Sequence, residues 1–382
     1  MNKQLIFIPL LLLTALFLPP EAAGEALLTE RDAVRIALEN SPAIEAAAAE
    51  TFAAEARSKQ AGGNYMPQVD LIQMYSGTNN PAEAFAYQLN QGRFDMDEFF
   101  MSDPNNPDWL NTWVTKLQLI QPIYTGGELS SRVDQASLMA EAQHLREGRT
   151  RDMVAFDTLT TFTNVTKARE YVDLIRKSRE TTSAHVDLAE QYAETGFIIE
   201  AEVHKARDYL AQMDEMVQQA ENGAWLAEAA LNFHMGIDQA THHDLAPLSI
   251  DLDTGGTLAE WTTLAFDRRG DLAASRKQLE AGRLEEKAAR SGFLPEVALI
   301  GHYGIYDDTI FGTNGDSGSV MVNATINLFK GGSDKQKLTA ARHQTAAHEA
   351  NINRFEEGIR LEVREAWQNL ETARARQATA GA

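Results

Sequence analysis

The sequence predicts a mostly α-helical protein with four β-strands, built from two copies of one helix–strand–strand–helix plan. Three observations lead to this fold class. Similar segments recur in the same order in both halves of the chain, and four segments alternate apolar and polar residues with a period of two. In addition, one stretch without proline is long enough for a helix of about 100 Å.

The N-terminal residues have the pattern of a secretory signal peptide. Lys3 precedes an apolar run from Leu5 to Leu18, and small residues follow at Ala22–Gly24. We therefore expect residues 1–24 to be a signal peptide, with an N-terminal membrane anchor as the alternative.

Composition narrows the possible partners. The 382-residue chain has no cysteine and a formal net charge of −21. Without cysteine there is neither a disulfide framework nor a cysteine-linked lipid anchor. The acidic excess argues against nucleic acid, because phosphates would be repelled.

The internal repeat rests on three ordered matches. Pro67 and Pro295 each precede a predicted strand, and the Gly-Gly segments Gln121–Gly127 and Ile326–Gly332 each follow one. The third match pairs residues 37–39 with 265–267. The predicted organisation is a signal peptide at 1–24, a first repeat at 25–240, a linker at 241–256 and a second repeat at 257–382.

Each copy opens with a predicted helix, Leu28 to Gly62 in the first and Thr257 to Ser291 in the second. Thr29 and Thr257 are the expected N-caps, because an acidic residue follows each of them by three positions.

The predicted strands lie near residues 68–76, 116–120, 297–305 and 317–329. In the last of these, Val320, Val322 and Ile326 alternate with Asn323 and Thr325. In the second strand Leu117 and Leu119 alternate with Lys116 and Gln118. The pattern is typical of transmembrane β-strands, although a half-buried soluble sheet shows it too. Four strands cannot close a barrel, so a membrane interpretation requires several chains.

A helical hairpin follows the first strand pair. The stretch from Glu128 to about Glu194 has no proline and carries apolar residues at helical spacing. A tip at Thr195–Glu200 then leads into a return helix from near Ile199 to about Leu231. A coiled-coil dimer is the alternative use of the same apolar stripe.

Taken in order, these features resemble the TolC-like outer membrane efflux protein family, over roughly Leu28 to Arg376. The residues that carry the resemblance are the proline strand entries and the two Gly-Gly strand exits. The first loop, from Asn80 through Phe94, is also similar to the extracellular loop of one branch of that family.

The resemblance implies an α-barrel of long antiparallel helical hairpins, continuing a 12-stranded outer-membrane β-barrel to which each subunit of a homotrimer contributes four strands. It further implies a periplasmic adaptor (membrane fusion) protein and an inner-membrane pump as partners, with outer-membrane lipid around the barrel. No cofactor, metal or catalytic residue is expected. The tip glycine of the family corresponds to Gly196, so the expected docking residues are Thr195, Gly196, Phe197 and Ile198.

Several side chains remain open to more than one interpretation. Glu194, Glu200 and Glu202 would form an acidic ring in a trimer, or simply a solvated face. Gly315–Gly318 has the order of a serine-protease nucleophile loop, but a turn between strands is the favoured interpretation. His234, His242 and His243 are interpreted as surface histidines rather than metal ligands.

The second copy departs from the first, because only 50 residues follow Gly332. We therefore expect the second hairpin tip and its return helix to be missing. The favoured function is a passive export channel of a tripartite efflux or type I secretion system. The alternatives are a periplasmic structural coiled-coil protein and a truncated, non-functional family member.

Overall fold

The computed structural model describes residues 27–249 and 255–380. The helices are α1 (Glu30–Asn40), α2 (Pro42–Gly63), α3 (Pro81–Asn90), α4 (Met96–Met101), α5 (Glu128–Glu194), α6 (Glu200–Met235), α7 (Leu258–Arg268), α8 (Gly270–Arg290) and α9 (Ser333–Ala380). The strands are β1 (Gln68–Thr78), β2 (Leu110–Thr125), β3 (Glu296–Asp307) and β4 (Gly315–Thr325). The predicted signal peptide lies outside the described residues, as do residues 250–254 of the predicted linker.

Contacts within the chain group it into two compact units. Of the described residues, one unit contains 27–42 together with 153–249, and the other contains 43–152 together with 255–380. The long helix α5 contributes to both. The order helix pair, strand, strand, long helix occurs twice along the chain.

The second unit contains one four-stranded antiparallel sheet in the order β1-β2-β3-β4. All four predicted strands are present, and the first three extend further than the sequence pattern indicated. The two Gly-Gly exits have nearly the same backbone, with φ of 62° and 81° at Gly126 and Gly127 and of 60° and 81° at Gly331 and Gly332. These left-handed conformations explain why both chain turns use glycine.

Each opening helix was predicted to be continuous, and that prediction is wrong. The first is interrupted at Ser41, where the extended ψ of 119° precedes Pro42, the first residue of α2. Proline favours an extended conformation in the residue before it and is well suited to a helix start. The second is interrupted at Arg269, whose ψ is 113°. The predicted caps are present, since the side chains of Thr29 and Thr257 accept hydrogen bonds from the backbone N–H groups of Asp32 and Glu260.

The segment interpreted as the first loop, Asn80 through Phe94, contains helix α3, and the short helix α4 follows it from Met96. Asn80 caps α3 by accepting hydrogen bonds from the backbone N–H groups of Ala82 and Glu83, and Pro81 is its first residue. This is a favourable helix start.

In the first unit, ion pairs join α5 and α6 into a hairpin, and α1 packs against α6. Helix α5 ends at Glu194 as predicted, whereas α6 continues beyond the predicted end to Met235, where Gly236 has a φ of 70°. A side chain on Gly236 would meet the carbonyl oxygen of Asn40 at 2.5 Å, so glycine allows α1 to approach. The largest buried side chains here are Phe162, Leu231 and Met235.

The helical part of the second unit depends on small residues. Ala274, Ala281 and Ala288 on α8 are fully buried at intervals of one heptad, and α8 packs along α9. Alanine at a heptad spacing lets two helices lie close together.

Candidate functional site: two sheet faces and a hairpin tip

The sheet has one predominantly apolar face, because residues that pair directly across antiparallel strands point to the same side. Leu71 pairs with Leu117 and Val69 with Leu119, and the same side continues through β3 to Val320 and Val322 of β4. We call this side the apolar face. Its valines are largely exposed in the isolated chain, with Val320 78% and Val322 67% exposed.

The opposite side, the polar face, carries a row of four polar residues in direct register. Asp70 pairs with Gln118, Gln118 with His302, and His302 with Ser319. The Ser319 hydroxyl lies 3.1 Å from Nδ1 of His302. Lys116 is on the same face, opposite Gly304. The row therefore crosses the whole sheet with groups that can bind water or solutes.

The register separates the residues that the sequence assigned to opposite sides. Leu117, Leu119, Val320 and Val322 lie on the apolar face, and Lys116, Gln118, Asn323 and Thr325 on the polar face. Ile326 lies one residue beyond the end of β4. The outer edges of β1 and β4 have no partner strand in the described chain. Such edges are templates for pairing with another chain.

The hairpin of the first unit is bridged by four arginine–carboxylate ion pairs. Their N···O distances lie between 2.6 and 2.9 Å, and the pairs are Arg169–Glu228, Arg176–Glu221, Arg179–Asp214 and Arg207–Glu190. The residue numbers rise along α5 as they fall along α6. The pairs therefore fix the antiparallel alignment of the two helices.

Glu228 is the most enclosed of these carboxylates. Burial alone would raise its pKa, but hydrogen bonds from the backbone N–H of His243 and from His242, together with the Arg169 charge, outweigh burial. The pKa of Glu228 consequently lies below its ordinary value. Arg169 also donates to the carbonyl oxygen of His243 at 2.7 Å. His242 and His243 are thus tied to this ion pair.

The tip of the hairpin closes as a helix C-cap of the Schellman type. Gly196 has a φ of 78°, its N–H donates to Ala193, and the N–H of Phe197 donates to the carbonyl oxygen of Tyr192 at 2.9 Å. The side chain of Thr195 donates back to the last turn of α5. Glycine is required by the left-handed backbone and is not crowded, since a Cβ at Gly196 would meet nothing within 4 Å.

Apolar side chains project from this tip. Phe197 is 81% and Ile199 67% exposed. Ile198, one of the predicted docking residues, is less exposed than either and is half-buried. The Phe197 ring packs at 6.3 Å from that of Tyr192, which is also exposed. The docking residues predicted from the sequence did not include Tyr192 or Ile199. The spacing of Tyr192 and Phe197, five residues apart across a glycine turn, could have indicated Tyr192.

The three acidic residues of the predicted ring are close to the tip and exposed. Glu200 and Glu202 lie in the first turn of α6, where carboxylates complement the helix dipole. Glu202 also pairs with Lys205 at 2.7 Å. Lys205 therefore offsets part of the acidic charge near the tip.

The remaining candidates are structural. The interpretation of Gly315–Gly318 as a turn is wrong, because these residues pair with β3 and form the start of strand β4. His302, the nearest histidine along the chain, contacts Ser319 rather than Ser317. Within residues 27–249 and 255–380 no group of three or more histidine, aspartate or glutamate side chains is arranged to hold a metal ion. In the same part of the chain, no helix is both long and apolar enough to span a lipid bilayer.

An antiparallel sheet with one exposed apolar face and open edges, in a chain with a 67-residue helix and its return partner, is the subunit fold of TolC-like outer-membrane channels. The sequence matches the model of the Outer membrane efflux protein family over residues 33–236 and 261–382, and the chain belongs to that family. The family is one of outer-membrane channel proteins rather than enzymes, and the chain is an outer-membrane protein.

Individual relatives are distant. The chain is 27% identical to Protein CyaE of Bordetella pertussis over 54% of this chain and 45% of that protein. It is 20% identical to Outer membrane efflux protein BepC of Brucella suis, over 70% of this chain and 59% of that protein. The chain thus spans about half the length of the curated relatives it matches.

Solved structures show the same fold. A membrane protein from Pseudomonas aeruginosa superposes with a TM-score of 0.75 at 18% identity, covering 92% of this chain and 78% of that one. The outer membrane protein VceC of Vibrio cholerae superposes with a TM-score of 0.74 at 17% identity, covering 91% and 80%.

Proposed function

We propose that this chain is a subunit of a trimeric outer-membrane channel, a passive conduit through which small molecules or proteins are exported. The observation that supports this most directly is the exposed apolar face of the sheet. A soluble protein rarely leaves so continuous an apolar surface uncovered, whereas a lipid-facing barrel wall requires one.

Closure of the barrel follows from the two open edges. Unpaired strand edges are not tolerated in lipid, so β4 of one copy pairs with β1 of the next. Three copies give twelve strands, the number that the family resemblance implies. In this arrangement the polar face lines the passage, and Lys116, Gln118 and His302 border the exported solute.

Docking is assigned to the hairpin tip. Phe197 and Ile199 expose apolar surface at the turn, where a merely solvated loop would carry polar residues. An adaptor protein of a tripartite efflux or type I secretion system would cover them and connect the channel to an inner-membrane pump. The open left-handed turn at Gly196 lets a partner approach the backbone closely.

Covalent chemistry has no part in this function. In the polar row His302 contacts the hydroxyl of Ser319, but the carboxylate of the row, Asp70, lies two strands away and does not orient the imidazole as a nucleophilic triad requires. Its groups solvate a moving solute and do not react with it.

Membrane fractionation tests the proposal. The expressed chain should be recovered with the outer membrane, migrate as a heat-modifiable band on gels and form ion-conducting pores when reconstituted in planar bilayers. A periplasmic coiled-coil protein would remain in the soluble fraction and would not conduct. Recovery of the folded chain only in the soluble fraction would overturn the proposal.

A further inference from the structure

Helix α3 lies against the polar face of the sheet, at the end remote from the helices that lead into and out of it. In β2 the polar-face residues Thr112 and Val114 are 0% and 3% exposed, whereas Asn111 on the apolar face is exposed. Only an element on the polar face can bury this alternate set. The element is α3, which contacts both β2 and β4.

Four side-chain and backbone contacts fasten α3 across the sheet. At its start, the hydroxyl of Thr78 at the end of β1 donates to Glu83 at 2.8 Å. Just past its C-terminal end, the buried side chain of Gln91 donates to the hydroxyl of Thr112 on β2, also at 2.8 Å.

The other two contacts reach the hairpin of β3 and β4. The guanidinium of Arg93 lies 2.6 Å from the carboxylate of Asp308, the first residue after β3. The backbone of Asn90 lies so close to Gly315, the first residue of β4, that a Cβ there would overlap the Asn90 carbonyl oxygen.

The dimensions of α3 match this crossing. A helix of 10 residues is about 15 Å long, and four strands spaced by about 4.8 Å span about 14 Å. The segment is therefore long enough to reach from the first strand of the sheet to the fourth.

We propose that α3 is a constriction at the outer mouth of the passage, which sets the size of solute that can leave; this rests on the proposed channel function. Twelve strands tilted by about 40° close at a radius of about 12 Å. A helix is about 10 Å thick. Three copies of α3 on the inner wall therefore narrow the mouth, and the opening that remains between them limits the size of solute that leaves.

Gly315→Ala is the direct test, because the added methyl group displaces α3 without altering the polar row. Gly318→Ala is the matched control: its Cβ would point to the apolar face, and the nearest atom, the carbonyl oxygen of His302, would be at 3.5 Å. Arg93→Asp removes the ion pair independently, and Arg93→Asp combined with Asp308→Arg restores it in the reverse orientation.

The full chain is reconstituted in planar bilayers, and conductance is measured with polyethylene glycols of increasing size as blockers. Gly315→Ala and Arg93→Asp should raise the conductance and the polymer size that is excluded, while Gly318→Ala and the charge swap should match the wild type. If the wild type conducts and Gly315→Ala has the same conductance and cut-off, α3 is not the constriction. If no variant conducts, the channel function itself fails, and this proposal with it.

Discussion

Placing one lysine on either face of β4 tests the membrane orientation of the sheet. Val322 lies on the apolar face opposite Leu299, and its neighbour Asn323 lies on the polar face opposite Ala298. Val322→Lys and Asn323→Lys therefore make the same chemical change one residue apart in the same strand, with opposite directions of the side chain.

The magnitude follows from what Val322 contacts. Its side chain is 67% exposed, so little packing within the chain is lost on substitution. If the apolar face meets lipid, a lysine near the bilayer midplane costs about 2–4 kcal/mol. If the face meets water, exposed substitutions stay within roughly 0.5 kcal/mol. Asn323→Lys should cost little in either case, because Asn323 is exposed on the polar face.

The assay is urea-dependent folding into phospholipid vesicles, followed by the heat-modifiable gel band. We expect Val322→Lys to lower the free energy of unfolding by at least about 2 kcal/mol more than Asn323→Lys, or roughly thirtyfold in the folding equilibrium. Equal losses at the two positions would refute the assignment of the apolar face to lipid.

Three further predictions concern the tip, the passage and the hairpin. Gly196→Trp should abolish crosslinking to an adaptor protein while leaving trimer yield unchanged, at a local backbone cost of roughly 1–2 kcal/mol. The control is Gly223→Trp, which places the same side chain in an open site on α6. Equal crosslinking of both variants would contradict the docking assignment. Lys116→Glu should shift the reversal potential of the pore toward cation selectivity in a salt gradient, because Lys116 is the one lysine or arginine of the four described strands. The control Lys177→Glu, on the hairpin, should leave the reversal potential unchanged. The lowered pKa of Glu228 means that its carboxylate stabilises the fold above its ordinary pKa of 4.5 and that this stabilisation is lost as the pH falls through the folded-state pKa. In Glu228→Gln, the urea midpoint of unfolding should therefore fall less steeply than in the wild type as the pH drops below 4.5. An unchanged dependence of the midpoint on pH would show that the Arg169–Glu228 ion pair does not contribute to stability.

Long periodic elements were predictable from the sequence. The span of α5 was predicted correctly at both ends. An uninterrupted helical pattern begins after the glycine pair Gly126–Gly127 and ends at the glycine turn of Gly196. The division of β2 and β4 into two faces was also predicted correctly. Once a strand is recognised, its alternate side chains must point to opposite faces of the sheet.

Short elements and tertiary contacts were not predictable in the same way. The break at Arg269 is accompanied by ion pairs of its guanidinium with Asp271 and with Glu362, and the second partner is 93 residues away, where no local pattern records it. Helix α3 has a favourable start at Asn80 and Pro81, but its position on the polar face depends on Thr112 and Gly315. The exposed Ile199 at the tip was overlooked because exposure depends on where the turn ends.

The four ion pairs along the hairpin have a mechanical consequence. If α6 slid along α5 by one helical turn, about 5.4 Å, every arginine would lose its carboxylate at once. Each ion pair contributes little to stability alone. Together the four pairs oppose sliding far more than bending, because bending leaves each donor opposite its acceptor. A force applied at Phe197 is therefore expected to bend the hairpin as one elastic rod, so that displacement at the tip is carried along both helices together.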